Sequence, residues 1–478
     1  MLVIHISTEC YPVIKNGGLA DVIGALPKYQ SKYNIDTQTV IPFVDNSFTQ
    51  SEELTTVYEG SFFLEEEKIS FSVYKNVSLN HDLYFIYIPS LLDRPNVYGY
   101  DDDPIRFLAF QLGVLEWLIT WNRKIDILHC HDHNTGLIPF FIKHTQPYDC
   151  FKDIPVVFTV HNTFFQGIMP LEIINKLPSF DPVQTKFILW NNSINSMASG
   201  ISCADKVTTV SPNYMDQLCL DSNGLEYIFQ INRYKCIGLL NGIDDSIWNP
   251  ETDPMICENY SLNKVEKGKT LNKKSLCKQF NLDDKKPLIA FIGKLNNAKG
   301  GDVLENLIEK VIDTGLQSNF IVMGKGGYEI TRSLELLNIS NKERLYFIPS
   351  LEESIVHQVF AGADFYLMPS REEPCGLGQL YSLKYGTVPI VSNKGGLEDT
   401  VKNFEDIDGY GIKFSYFSLD DILFSISKAE KIFQDKGLLH VLRKRMMKLD
   451  FSWLSQAKQY INLYKELTEN KKIIWKLT

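Results

Sequence analysis

The chain has 478 residues, 44% of them hydrophobic and 22% charged, which suits a globular protein of two or three domains rather than a disordered or fibrous one. A formal net charge of −10 gives no overall basic footprint, so nucleic acid is disfavoured as a partner, although a local basic pocket for a phosphorylated ligand remains open. The nine cysteines are scattered without CxxC pairs and read as thiols of a reducing compartment. The apolar run at the start is too short for a signal peptide, and Phe107 to Trp121 is cut by Gln111 and Glu116, too polar to span a bilayer. A cytoplasmic protein without a membrane partner is expected.

Residues 2–42 predict strand, loop, helix, strand. The loop carries Glu9, Lys15, Gly17 and Gly18 directly before the helix, where backbone N–H groups and a lysine can cradle an anion; a solvated lysine on a turn is the plainer alternative. Residues 50–105 alternate short β patterns with polar loops. Asp101, Asp102 and Asp103 resemble a metal cluster only superficially, because adjacent carboxylates on a loop cannot all face one ion. A strand Ile125–Leu128 is expected to precede His129, His131, Asp132 and His133, with a helix from about Thr135. Alternation along a strand end argues against zinc there, and no metal is expected. The apolar strand before His161 and Asn162 puts that pair at a sheet edge, as ligand contacts or as a structural histidine with its neighbour.

Residues 251–287 read as a lysine-rich connection with one helix near Lys273 to Phe280. A second set of βα repeats follows, with strands near Leu288–Gly293, Phe320–Gly324, Leu345–Pro349, Phe365–Met368 and Thr387–Val391. The stretch 364–400 carries Glu373 and two glycine-bearing helix starts above strand ends. Glycine there admits a phosphate close to backbone N–H groups, and a nearby carboxylate suits chemistry on a carbon that becomes positive. As a loop residue, Glu373 is expected to contribute little packing. The tail has Trp453, Ala457, Tyr460 and Tyr464 at helical spacing, a core-facing stripe. The expected fold is α/β: two doubly wound Rossmann-like domains, 1–246 and 247–452, with a cleft between their ligand edges, then a helix over 453–478.

The run "PSREEPCGLGQLYSLKYGTVPIVSNKGGLEDTV" resembles the bacterial glycogen synthase and plant starch synthase family at almost every position, as do "KNGGLADVIGALPK", "TVHNTFFQG" and the Asn241-Gly242-x-Asp244…Trp248 pattern. The resemblance implies the GT-B glycosyltransferase architecture, with the last helix crossing back to the first domain. It implies transfer of glucose from ADP-glucose or UDP-glucose to the non-reducing end of an α-1,4-glucan with retention of configuration. Glu373, His161, Asp132, Lys299 and Lys294 are the implied catalytic groups. Lys15, Gly17, Gly18, Asn241, Cys375, Gly376, Leu377 and Gln379 would bind the donor, and Glu9, Tyr98 and Asn162 would line the sugar pocket. With lysines for the diphosphate, no metal or other cofactor is implied. Departures from the family pattern are Lys294 for arginine, Gly327 at an acidic position, Leu351 for an aromatic residue, Gly378 for asparagine or threonine, and His133 for tryptophan; the Arg-Arg run before Gly395 is also missing. These departures keep two alternatives in view, a related retaining transferase with a changed donor or acceptor, and a weakly active glucan-binding homologue.

Overall fold

A computed structural model describes residues 1–78 and 81–477, with the backbone alone from 470 onward. It divides into two compact units, Met1–Asn241 with Trp453–Thr478, and Gly242–Ser452.

The first unit is built on strands β1 (Leu2–Ile6), β2 (Asp36–Pro42), β3 (Leu54–Leu64), β4 (Glu67–Asn76), β5 (Asp82–Tyr87), β6 (Ile127–His131) and β7 (Val156–Val160). A small separate sheet holds β8 (Ile168–Met169), β9 (Leu189–Trp190) and β10 (Ser193–Asn195), and β11 (Lys206–Thr209) and β12 (Cys236–Gly238) complete the main sheet. The main sheet runs β12-β11-β7-β6-β1-β2-β5-β4-β3, parallel except for the hairpin β3–β4 and its pairing with β5. β1, β6 and β7 are buried along their whole length, as strands covered on both faces of a parallel sheet are, with the polar His5, His129, His131 and Thr159 buried among apolar neighbours. Strand β6 runs through His129 and His131, further than the expected Ile125–Leu128, so both histidines sit inside the sheet and on the same face. The C-terminal helix Trp453–Leu477 buries Trp453, Ala457, Tyr460 and Tyr464 against Val3, Val22, Leu26 and Tyr29, covering β1 and the helix Gly18–Ser31.

The second unit has β13 (Leu288–Ile292), β14 (Asn319–Met323), β15 (Leu345–Ile348), β16 (Phe365–Met368), β17 (Val388–Ser392) and β18 (Ile412–Phe414), all parallel in the order β15-β14-β13-β16-β17-β18. The helix Val265–Phe280 begins eight residues before the expected Lys273, and its Val265, Leu276, Cys277 and Phe280 join this unit's core, so the stretch belongs to the unit rather than linking two of them. In each sheet successive strands run outward to both sides of a starting pair, β6/β1 in one and β13/β16 in the other. At such a switch point the connections diverge and leave a crevice above the carboxyl ends of the strands. No helix among the described residues is long and apolar enough to cross a membrane.

Candidate active site

In the first unit the crevice lies where β1, β6 and β7 end. Glu9, buried just past β1, accepts hydrogen bonds from the backbone N–H of Asn16 at 2.6 Å and of Gly17 at 3.2 Å, and from the Tyr98 hydroxyl at 3.0 Å. Part of the anticipated anion cradle is therefore already occupied by a side-chain carboxylate. Lys15 lies half-exposed against Asp21, 2.6 Å from its carboxylate. A Cβ on Gly17 would meet nothing within 4 Å, so the loop surface above the helix Gly18–Ser31 is open. Desolvation and the Glu9 charge hold the Tyr98 phenol well above its ordinary pKa.

Asp132 follows β6 at φ 59°, ψ 178°, a conformation that side chains other than glycine adopt only when their surroundings compel it. The compulsion is visible: its N–H donates to the Thr159 carbonyl at 2.9 Å and its carboxylate accepts the His161 N–H at 2.7 Å. Desolvation, with the Glu9 charge adding to it, pushes the Asp132 carboxyl up to about 7 against the hydrogen bonds it accepts from the N–H groups of His161 and Asn162. His161 is buried and its pKa is lowered to about 3 by desolvation, so the ring is neutral. Asn162 is exposed, its side chain accepting the Phe164 N–H. Asp102 pairs with Arg94 and Asp103 with Arg106 at the start of the helix Asp103–Ile119, so two of the three acidic groups are engaged by arginines. Asn241 closes this unit, buried, with Oδ1 lacking a hydrogen-bond partner among the described residues.

In the second unit, Lys294 and Lys299 follow β13 and Glu373 follows β16. The Lys299 ammonium lies 2.7 Å from Glu373 Oε1 and 3.3 Å from the Glu372 carbonyl, while Ser370 donates to Glu373 Oε2 at 3.0 Å. Glu373 is only 8% exposed, so this loop residue is held far more firmly than its position suggested. Lys294 is exposed, and among the described residues no ion pair holds its ammonium. The second glycine pair has a different task from the one expected. A Cβ on Gly395, at φ 47°, would stand 2.0 Å from the Glu373 carbonyl, and one on Gly396 would stand 2.1 Å from that of Cys375. Those glycines let one loop lie on another, and the Gly396 N–H donates to the Glu373 carbonyl at 3.0 Å, which fixes the catalytic candidate in place. Gln379 was expected at the donor; it is fully buried and its amide donates to the carbonyls of Cys375 and Gly376, bracing the turn from beneath. Cys375 is buried too, and Gly376 and Leu377 are half-buried at the rim.

Along the chain, 44% of residues are identical to a glycogen synthase of Flavobacterium johnsoniae, over 98% of this chain and 100% of that one. The chain belongs to the glycogen synthase family. A family member from Geobacillus stearothermophilus is 33% identical over 98% of this chain and 99% of its own length. Residues 2–231 match the starch synthase catalytic domain, and residues 272–432 match glycosyl transferases group 1. The catalytic domain of starch synthase IV from Arabidopsis thaliana, solved with ADP and acarbose, has a TM-score of 0.90 at 26% identity, covering 98% of this chain and 99% of that one. Sucrose-phosphate synthase from Thermosynechococcus elongatus, at 14% identity and a TM-score of 0.63 over 98% and 99% of the two chains, shares the fold. The two doubly wound units are thus those of a GT-B glycosyltransferase.

Within the glycogen synthase family one departure has a packing cause here. A Cβ on Gly378 would lie 2.4 Å from the Tyr366 hydroxyl, whose oxygen is itself tied to the Ile292 carbonyl at 2.9 Å. Asparagine or threonine does not fit beside that ring. His133 packs near Phe165, with ring centroids 6.3 Å apart, and desolvation lowers its pKa to about 4. Gly327 opens onto free space and Leu351 is exposed, and nothing in the structure explains either replacement. Sequence reasoning missed Ser370 and Asp21, the partners of Glu373 and Lys15, because neither is part of a recognisable motif.

Proposed function

We propose that this protein extends an α-1,4-glucan at its non-reducing end with glucose from a nucleoside diphosphate glucose, retaining the anomeric configuration, in the cytoplasm. The observation that carries the reading is the Lys299–Glu373 pair at the switch point of the second unit, with Lys294, held by no ion pair among the described residues, following the same strand as Lys299. Transfer builds positive charge on the anomeric carbon and negative charge on the departing diphosphate. Groups that meet those charges better in the transition state than before it raise turnover. In this reading Glu373 serves the sugar, and Lys299 and Lys294 the diphosphate; the ion pair between Glu373 and Lys299 supports it. Lys15, in the first unit, is suited to exchange Asp21 for a phosphate. These ammonium groups supply charge that a divalent metal would otherwise bring, so activity is expected to survive chelators. Within the first unit, Asp132 and His161 are suited to hold sugar hydroxyls, with Glu9, Tyr98 and Asn162 belonging to the same unit. The ADP in the starch synthase IV structure supports ADP-glucose as the preferred donor and its acarbose supports a glucan acceptor. The test is incorporation of glucose from ADP-glucose and from UDP-glucose into a maltooligosaccharide primer, with the product anomer read by NMR. Incorporation from neither donor overturns the reading.

A further inference from the structure

Behind His161 the first unit contains a connected set of buried polar groups that the reaction above does not use. The Gln30 Oε1 lies 2.8 Å from His5 Nε2, His5 Nδ1 lies 3.2 Å from His131 Nε2, and His131 Nδ1 lies 3.2 Å from His161 Nε2. On the other arm the Gln30 amide donates to the Tyr464 hydroxyl at 3.1 Å, which lies 2.7 Å from His129 Nδ1, and His129 Nε2 lies 2.6 Å from Thr159 Oγ1. Gln30, His5, His129, His131 and Tyr464 are all fully buried.

Burial keeps these rings neutral: it lowers His5 to about 4 and His161 to about 3, and holds His129 and His131 well below the ordinary histidine value. A neutral imidazole has one N–H and one lone pair, so a line of such rings can have only one direction at a time. The amide of Gln30 sets it. Its carbonyl accepts, so His5 carries its proton on Nε2 and offers Nδ1 to His131 Nε2–H. His131 then offers Nδ1 to His161 Nε2–H. His161 Nδ1 is left as a lone pair, and among the described residues no hydrogen bond engages it. The same amide gives its N–H to Tyr464, whose proton goes to His129, so both arms agree with one orientation of one side chain.

We propose that Gln30, acting through His5 and His131, is a positioning residue that holds His161 as its Nε2–H tautomer and keeps Nδ1 as the acceptor for a hydroxyl of the donor sugar. This rests on the reading of His161 as a sugar-pocket residue. Three of these rings, His5, His129 and His131, also have ligand atoms within 4.8 Å of one another, a spacing a metal ion can bridge. Their hydrogen bonds favour the proton line.

The experiment is long-range proton–nitrogen NMR on protein labelled with 15N-histidine, with the His161 signals identified by their loss in His161→Asn. The wild type is expected to show His5, His131 and His161 each as the Nε2–H form. Gln30→Met keeps the volume and removes the anchor: His161 should become a mixture of tautomers, and kcat/KM for the donor should fall about three- to tenfold, the value of one hydrogen bond. Gln30→Glu still accepts from His5, so it should restore the His161 tautomer while His129 shifts its proton to Nδ1, a split no merely structural role predicts. An Nδ1–H form or an imidazolium at His161 in the wild type overturns the proposal, as does a His161 tautomer unmoved by Gln30→Met, or stoichiometric zinc whose chelation shifts these rings. The wild-type spectrum needs no variant to fold. Correct tautomers in a protein that transfers no glucose would defeat the functional reading and leave this one standing.

Discussion

Replacing Glu373 with glutamine tests the centre of the proposed chemistry. The side chain keeps its volume but loses its charge, and its two accepting oxygens become one. Lys299, 2.7 Å from Oε1, and Ser370, 3.0 Å from Oε2, both donate, so one of them must face an amide N–H. A hydrogen bond to a charged group is worth about 1.5–3 kcal/mol. Lys299 is 30% exposed and regains water, which brings the expected loss of stability to about 1–2 kcal/mol. Turnover should suffer more. A preorganised charge that faces the developing charge of a transition state is worth about 3–4 kcal/mol, or roughly a hundred- to a thousandfold in kcat. The assay is the initial rate of glucose incorporation at saturating donor, beside urea unfolding of the same preparation. Glu372, exposed next door, is the control, and Glu372→Gln should stay within about threefold of wild type. A Glu373→Gln enzyme that is folded and no slower than the Glu372 variant would refute the role assigned to this carboxylate.

Lys294→Arg should raise turnover by roughly ten- to a hundredfold, because a guanidinium fork adds a second bond to phosphate and the exposed position leaves room for it; a drop or no change in kcat means the lysine is not a weakened arginine site. The Asp132 carboxyl titrates near 7, so if its ionised form holds the sugar, kcat/KM should rise with pH through about 7, and Asp132→Asn should abolish that step in a pH–rate profile. The stability effect has the opposite sign: its folded-state pKa is raised from 3.8, so its contribution is complete below that value and is lost as pH rises to about 7, making Asp132→Asn relatively more stable at pH 8 than at pH 5 in urea titrations. Gly378→Asn, which restores the family's residue, should destabilise by about 1–3 kcal/mol through its clash with Tyr366, and an unchanged urea midpoint would show that the ring gives way.

What the sequence determined by itself is what short-range patterning can carry. Near-continuous apolar runs marked β1, β7, β13 and β16, because a strand buried on both faces does not alternate. The loops with Glu9 and Glu373 carry glycine and charge directly after such runs, whereas Lys299 stands out only through the family resemblance. The Trp453, Ala457, Tyr460, Tyr464 stripe announced a packed helix, since residues three and four apart share a face. The tertiary structure decided what each group touches. Parallel strands pair only after long crossovers, so β1 lies beside β6 although their paired residues Val3 and Ile127 are far apart in the chain, and no local period encodes that register. Only this pairing, together with that of β6 and β7, turns His5, His131 and His161 into one line. Only the contact of Gly395 with the Glu373 carbonyl shows that a glycine that reads as a phosphate turn serves to seat a loop. Hydrogen bonds between side chains are set within a few tenths of an ångström by such long-range placement, and residue order alone does not specify distances of that kind.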